Sequence, residues 1–407
     1  MKFINQYFNA RVISFASSQI VVLLGSLLRL PLISSESTLS TFALFLLYAS
    51  ALGLLPIFIG GMVNRTRMLI LTHGNDQLLF STTAKFLSIQ CILIFLFLLN
   101  FFLFRFSAFG EVMLITITGL ILRRFSPYYG SQQAHGKISQ QNISQAIGAT
   151  AGLVITFIIV KSPAWIAFDD IQRLNVLIAI AGFATLVPFI FARTAQRTMS
   201  SLITFSNAKS RSSFATNVSE LASTLPPAAL TFIDTLSLQF LSSPYQLSLY
   251  GINQRLSAVS TFMTGANYIK EANEVLGTGG ISFKGAARRV LKFNLLNAPF
   301  LAAFVIASPF LTEYLSSGKV GVDWLLVSAY LLLALLQPAW VVVSNLVYSE
   351  KQLTHNLGKF VLLYVIPISI LGTTIGALWL GAVGVVLATI LGYCLAVALG
   401  SQLYWKK

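Results

Sequence analysis

The sequence predicts an all-α integral membrane protein of about twelve transmembrane helices, arranged as two pseudo-symmetric six-helix bundles. Three observations carry this prediction. Of 407 residues, 56% are hydrophobic and only 10% charged, whereas soluble domains carry roughly a quarter charged residues; the mean hydropathy is +0.79. Apolar runs of about 20 residues or more, enough to cross a bilayer, follow one another with little between them. Short matching segments also recur at corresponding places in the two halves of the chain. A soluble enzyme is excluded at once, because no stretch remains for a water-exposed catalytic domain.

Taken in order, apolar runs and their breakers place helices at about 12–33, 38–62, 78–104, 109–131, 141–161 and 172–193. A second set is expected at about 214–242, 246–268, 288–312, 321–347, 357–378 and 381–402. No small-residue cleavage pattern follows Met1-Lys2-Phe3-Ile4, so the first run reads as a retained helix. The first helix ends at the short turn Ser34-Ser35-Glu36-Ser37, and the seventh at Ser242-Ser243-Pro244. Asp169-Asp170, the one adjacent acid pair, reads as a solvated helix boundary rather than acid/base machinery. Between the sets, a Ser- and Ala-rich loop with Lys209 and Arg211 divides the chain into lobes 1–197 and 213–407 joined by a cytoplasmic linker, 198–212.

The halves echo one another. Lys137-Ile-Ser-Gln-Gln-Asn142 opens the fifth helix, and Lys351-Gln-Leu-Thr-His-Asn356 opens the eleventh. Such a duplicated bundle is the architecture of an alternating-access transporter with its site between the halves. Gly148 with Gly152, and Gly372 with Gly376, are spaced for close helix contact inside a lobe. Pro56, Pro188, Pro299, Pro338 and Pro367 are expected to bend their helices.

Charge fixes orientation. Of 27 basic residues, eighteen fall on the side that holds both termini, from Lys2 and Arg11 to Lys406 and Lys407. The opposite side holds only Arg105, Lys161, Arg173 and Lys319. The positive-inside rule therefore places both termini in the cytoplasm and the protein in the cytoplasmic (inner) membrane. The net charge of +15 is scattered between apolar runs rather than gathered on a solvated face, so nucleic acid is not a partner.

Catalytic signatures are missing. Gly277-Thr-Gly-Gly-Ile-Ser-Phe-Lys284 only mimics a phosphate loop, so ATP hydrolysis is not expected. Cys91 and Cys394 lie far apart inside apolar runs, and the three histidines have no metal-ligand spacing, so no metal or other cofactor is expected. The chain reads as a transporter and not an enzyme.

Several segments together resemble the lipid-linked oligosaccharide flippases, including O-antigen flippases, of the multidrug/oligosaccharidyl-lipid/polysaccharide exporter superfamily. Arg29-Leu-Pro-Leu-Ile-Ser-Ser-Glu36 followed by Leu39-Ser-Thr-Phe42 is similar to the family's arginine, outer turn and aromatic pattern. Ser243-Pro-Tyr-Gln-Leu-Ser-Leu-Tyr250 leading to Arg255 is similar to its second outer turn, and Gly381-Ala-Val-Gly-Val-Val-Leu-Ala388 to its small-residue twelfth helix. The chain departs from the pattern at Ser40-Thr41, where the family usually has Gly. The resemblance implies a polyprenyl-diphosphate oligosaccharide as substrate, turned across the cytoplasmic membrane for surface polysaccharide biosynthesis. It also implies membrane lipid, a glycan polymerase and glycosyltransferases as partners.

Charges left at membrane depth mark the expected site, because burying them is costly unless function needs them. These are Arg29, Lys85, Arg123, Arg124 and Arg255, with the acids Glu220 and Asp234. Arg124, Tyr128 and Gln132 share one helix face, suited to hold a diphosphate and stack on sugar. Arg29, Arg123, Arg124, Tyr128 and Arg255 are therefore the substrate-binding candidates. Arg29 and Lys85 also lie near enough to helix ends to snorkel. Arg255 points nearly opposite the polar stripe Asn253, Ser257, Ser260, so either the cavity is broad or the stripe is a packing seam. Asp234 and Glu220 share a face with Pro227, and Pro226-Pro227 is expected to break the helix there. They are the ion-coupling candidates, Asp234 ahead of Glu220; the alternative is an ion pair with Arg255.

Other transport readings stay open: a drug/cation antiporter of the same superfamily, which should prefer an acidic cavity, and a major-facilitator transporter. From a different class, a membrane-embedded polysaccharide polymerase would need a substantial outer loop with acids, and none is present.

Overall fold

The computed structural model describes residues 10–50, 139–190, 226–258, 281–348 and 350–405, and every regular element among them is helical. In chain order these are α1 (Ala10–Ser35), α2 (Leu39–Ser50), α3 (Ser139–Val160), a short α4 (Pro163–Ala167) and α5 (Asp170–Ile190). The second half contributes α6 (Pro226–Leu241), α7 (Pro244–Ser257), α8 (Phe283–Leu315), α9 (Trp324–Tyr348), α10 (Lys351–Phe360) and α11 (Ile366–Trp405). One π turn, Val361–Val365, joins the last two. The spans expected at 78–104 and 109–131, and the linker 198–212, lie outside the described residues.

Helix starts follow local chemistry. Asp169 accepts from the Gln172 amide at 2.7 Å while Gln172 Oε1 accepts from the Asp169 amide at 3.2 Å, a reciprocal capping box that opens α5. Asp169-Asp170 is thus a helix boundary, as expected. Ser243 caps α7 with Pro244 behind it, Ser282 caps α8, and Asp323 accepts from the Leu325 and Leu326 amides to open α9. The helices continue through Pro31, Pro299, Pro309 and Pro338. The break expected at Pro226-Pro227 falls at the first described residues of α6.

Packing is dense within each half: α1 against α3, and α3 against α5; then α6 and α9 against α11, and α8 against α9. Small residues set these distances. Gly25 lies on Ala149, and Gly152 lies on Ala184, where a Cβ would come within 2.7 Å of the alanine methyl. Of the spaced glycines, Gly152, Gly372 and Gly376 thus serve contacts inside a half.

The two spans expected at 357–378 and 381–402 form a tight antiparallel hairpin. Gly381 makes the reversal at φ 58°, ψ −132°, a conformation that L side chains avoid. Gln246 Oε1 accepts from the Ala382 amide at 2.9 Å and fixes the corner. Below it Gly376 meets Gly384 backbone to backbone, and Gly372 meets Ala388.

One buried cluster runs through both halves, including Leu30 and Phe42 from the first and Leu249 and Val385 from the second. Lipid would cover the exposed apolar faces of the long helices, which include Trp379, Phe310 and Ile306. The end of the bundle carrying the turns at Glu36, Ser162, Ser243, Ser317 and Gly381 is called the distal end below.

Gly384→Val should lower the unfolding free energy by about 2 kcal/mol, from overpacking of backbone against backbone. Gly321→Ala should leave it unchanged, because a Cβ there meets nothing closer than 3.9 Å. Thermal unfolding of purified protein in detergent checks both.

Candidate functional site

Two arginines and one carboxylate make up the described part of the site. Arg29 lies on the distal half of α1, where its Nε donates to Gly25 O at 3.1 Å along its own helix. Its guanidinium rests over Gly152 of α3, where an added Cβ would stand 3.0 Å from Nη1. The missing side chain at 152 therefore makes the niche that the arginine occupies. Arg255 lies in the last turn of α7, and its Nη1 donates to Gly251 O at 2.8 Å. Gly251 faces Leu46 of α2, so the Arg255 face of α7 meets the first half of the chain.

The two guanidinium groups come from opposite halves, yet they are close enough for their charges to repel. Neither has a carboxylate partner among the described residues. The ion pairs there are Lys161 with Glu36 and Arg173 with Asp170, both at the distal end. Each guanidinium has five N–H donors, and described residues accept from one on each. Like charges at membrane depth, with one donor each accepted by the described residues, form a place that favours an anion with several acceptor oxygens.

Asp234 of α6 is fully buried. Its Oδ2 accepts from Tyr250 Oη of α7 at 2.9 Å and from Thr389 Oγ1 of α11 at 2.5 Å. Oδ1 is sealed from solvent and has no hydrogen-bond partner among the described residues. Such an oxygen is costly unless something occupies it. Tyr330 of α9 donates to Tyr250 O at 3.2 Å, its ring 5.9 Å from that of Tyr250, and it lies within electrostatic range of both Asp234 and Arg255. The ion pair between Asp234 and Arg255 is not formed; hydroxyl groups take the place of the cation.

The doubt over α7 is settled by burial. Asn253 is fully buried, with Nδ2 donating to Leu249 O at 2.9 Å, while Arg255 is half-buried. The polar stripe is a packing seam at Asn253, and Arg255 faces the other half of the chain. Of the expected site residues, the structure brings Arg29 and Arg255 near one another and places Asp234 in a neighbouring compartment. Arg123, Arg124, Tyr128 and Glu220 lie outside the described residues, as does Lys85. Thr389, Tyr330 and the nearby Tyr393 were not singled out from the sequence. Thr389 is 155 positions from Asp234, and no local pattern signals such a partner.

No protein-family model matches the chain, and no curated protein matches it. Solved structures do. A MATE transporter from Vibrio cholerae aligns at 14% identity and a TM-score of 0.55, covering 100% of this chain and 97% of that one. A MATE protein in complex with MaL6 aligns at 12% identity and a TM-score of 0.57, covering 99% and 98%. An outward-facing multidrug resistance MATE family transporter of the MOP superfamily aligns at 15% identity and a TM-score of 0.56, covering 98% and 96%. Over essentially its whole length, this chain has the all-α, roughly twelve-helix fold of those membrane transporters.

Proposed function

We propose that the chain is a flippase that moves polyprenyl-diphosphate-linked oligosaccharide across the cytoplasmic membrane by alternating access between two lobes. The observation that carries this reading is the meeting of Arg29 and Arg255 from opposite halves without a described carboxylate between them. A diphosphate head cannot enter hydrocarbon with its charge unpaired, at a cost of several kcal/mol or more. Two guanidinium groups replace its hydration with charge-assisted hydrogen bonds, and the polyprenyl tail stays in the bilayer. Arg123, Arg124 and Tyr128 complete the head-group site in this reading. The distal end faces outward, both termini are cytoplasmic, and the glycan polymerase and glycosyltransferases are the enzymes that consume and supply the cargo.

Asp234 is the coupling residue of the proposal, ahead of Glu220. The empty acceptor Oδ1 takes a proton while Oδ2 stays held by Tyr250 and Thr389. Occupancy there acts on three helices together, α6, α7 and α11, and α7 carries Arg255.

A cation antiporter is the second reading. The buried Asp234 and the likeness of the fold to a multidrug resistance transporter favour it, and the pair of arginines speaks against it, since cationic cargo would be repelled.

In proteoliposomes, the wild type should translocate a fluorescent polyprenyl-diphosphate glycan. Arg29→Ala and Arg255→Ala should each slow translocation about tenfold or more, as expected for loss of a charge-assisted bond. Normal rates in both variants, or movement of small cations and never the glycan, would reject the flippase reading. An imposed proton gradient should accelerate the wild type, leave Asp234→Asn unresponsive, and have a reduced effect on Tyr250→Phe. An unaltered response in Asp234→Asn would remove the carboxylate from coupling.

A further inference from the structure

The distal ends of α1 and α8 come from opposite halves of the chain, and a set of polar groups bridges them beside Ile33 and Leu315 of the buried cluster. Ser34 Oγ of α1 donates to Leu315 O of α8 at 3.1 Å and accepts from Ser317, the two hydroxyls 2.8 Å apart. Ser317 Oγ also reaches Pro31 O at 3.3 Å. Lys319 Nζ donates to Ser34 O and Ser37 O.

Two features of this contact are unusual for plain packing. First, α1 has no basic residue in its last turn, although the carbonyls of a helix C-terminus lack partners and attract cations. Lys319 supplies that cation from the other half of the chain. Partial burial pulls its ammonium below the ordinary lysine value, and Glu36 opposes the shift.

Second, α8 ends in a Schellman turn. The Gly318 amide bonds Glu313 O at 2.9 Å and the Ser317 amide bonds Tyr314 O at 3.1 Å. The left-handed position of that turn, usually glycine, is Ser317 at φ 52°. A serine there bears strain that glycine would avoid, and its hydroxyl is what crosses to α1.

The receiving turn is held from its own side. Lys161 pairs with Glu36 at 3.1 Å, and Arg173 Nη1 donates to Glu36 O at 3.3 Å. Ser317 and Gly318 are exposed, so water can replace every bond across the contact once the ends part. Bonds that water can replace cost less to break than apolar surface costs to expose.

We infer that Ser317 and Lys319 form a reversible latch that shuts the distal end between the two lobes, holding the transporter closed on that side until the cycle releases it. Lys319 is a positioning residue; it need not touch cargo. The inference rests on the alternating-access part of the proposed function and is independent of what the cargo is.

Spin labels at Ala164→Cys and Leu325→Cys, exposed distal positions on opposite halves, would report the opening. Cys91 and Cys394 are replaced by serine in this background, and the protein is reconstituted in lipid nanodiscs. Double electron–electron resonance should give one dominant distance in the parent. Lys319→Gln with Ser317→Gly should raise a longer-distance population about tenfold, as loss of bonds to a charged group predicts. Glycine at 317 keeps the left-handed turn, so the variant loses only the hydroxyl there. Lys161→Met, which breaks a bond within one half, should leave the distances unchanged. An unaltered distribution in the Lys319/Ser317 variant, or an equal shift in Lys161→Met, would overturn the latch. A shift in distance without any glycan translocation by the parent would keep the latch and discard the flippase reading.

Discussion

A guanidinium group at membrane depth must be given acceptors, and the described helices of this protein supply one to each of two arginines. Arg29 and Arg255 each bond one carbonyl a turn back on their own helix, at Gly25 and Gly251. Glycines shape the space around both: Gly152 beneath Arg29 and Gly251 beside Arg255. A methyl group at 152 would crowd Arg29, and one at 251 would press on Leu46, so at Arg29 the backbone is cleared for the charge. Buried cations are ordinarily paired. Two of them within electrostatic range of one another, with no carboxylate partner among the described residues, make a place whose charge an anion would relieve.

The carboxylate follows the opposite rule. Asp234 is held by two hydroxyl groups of the second half, Tyr250 on α7 and Thr389 on α11, and Tyr330 bonds the Tyr250 backbone beside them. If the acid and the arginine were paired, they would neutralise one another and lock α6 to α7. Kept apart, each stays available for a different ligand, and the shared helix α7 links them. At the distal end the same economy of local bonding appears at the α1 terminus, whose carbonyls are satisfied by Lys319 from across the seam.

Much of this was legible in the sequence. The apolar runs predict α1, α3, α5, α8 and α9 within a few residues, because a membrane span must satisfy its backbone internally and so declares its length. Arg29, Arg255 and Asp234 stand out for the same reason: charge inside an apolar run is costly wherever it occurs. What could not be read was pairing. The sequence allowed an Asp234–Arg255 ion pair as readily as two separate compartments, since the outcome depends on where Tyr250, Tyr330 and Thr389 meet in space. The hairpin at Gly381 was placed as a break between two spans, but its backbone contact at Gly376 and Gly384 required the fold. The Lys319 contact was equally hidden, because it joins residues about 280 positions apart and leaves no mark on local periodicity.

Affinity for the charged head, separated from transport, tests the central claim most directly. Native mass spectrometry can compare binding of a polyprenyl diphosphate with that of the uncharged polyprenol of equal length. The wild type should prefer the diphosphate by about tenfold or more, and Arg29→Gln with Arg255→Gln should bind the two lipids alike. Equal affinity for both lipids in the wild type would contradict a cationic seam built to hold an anionic head group.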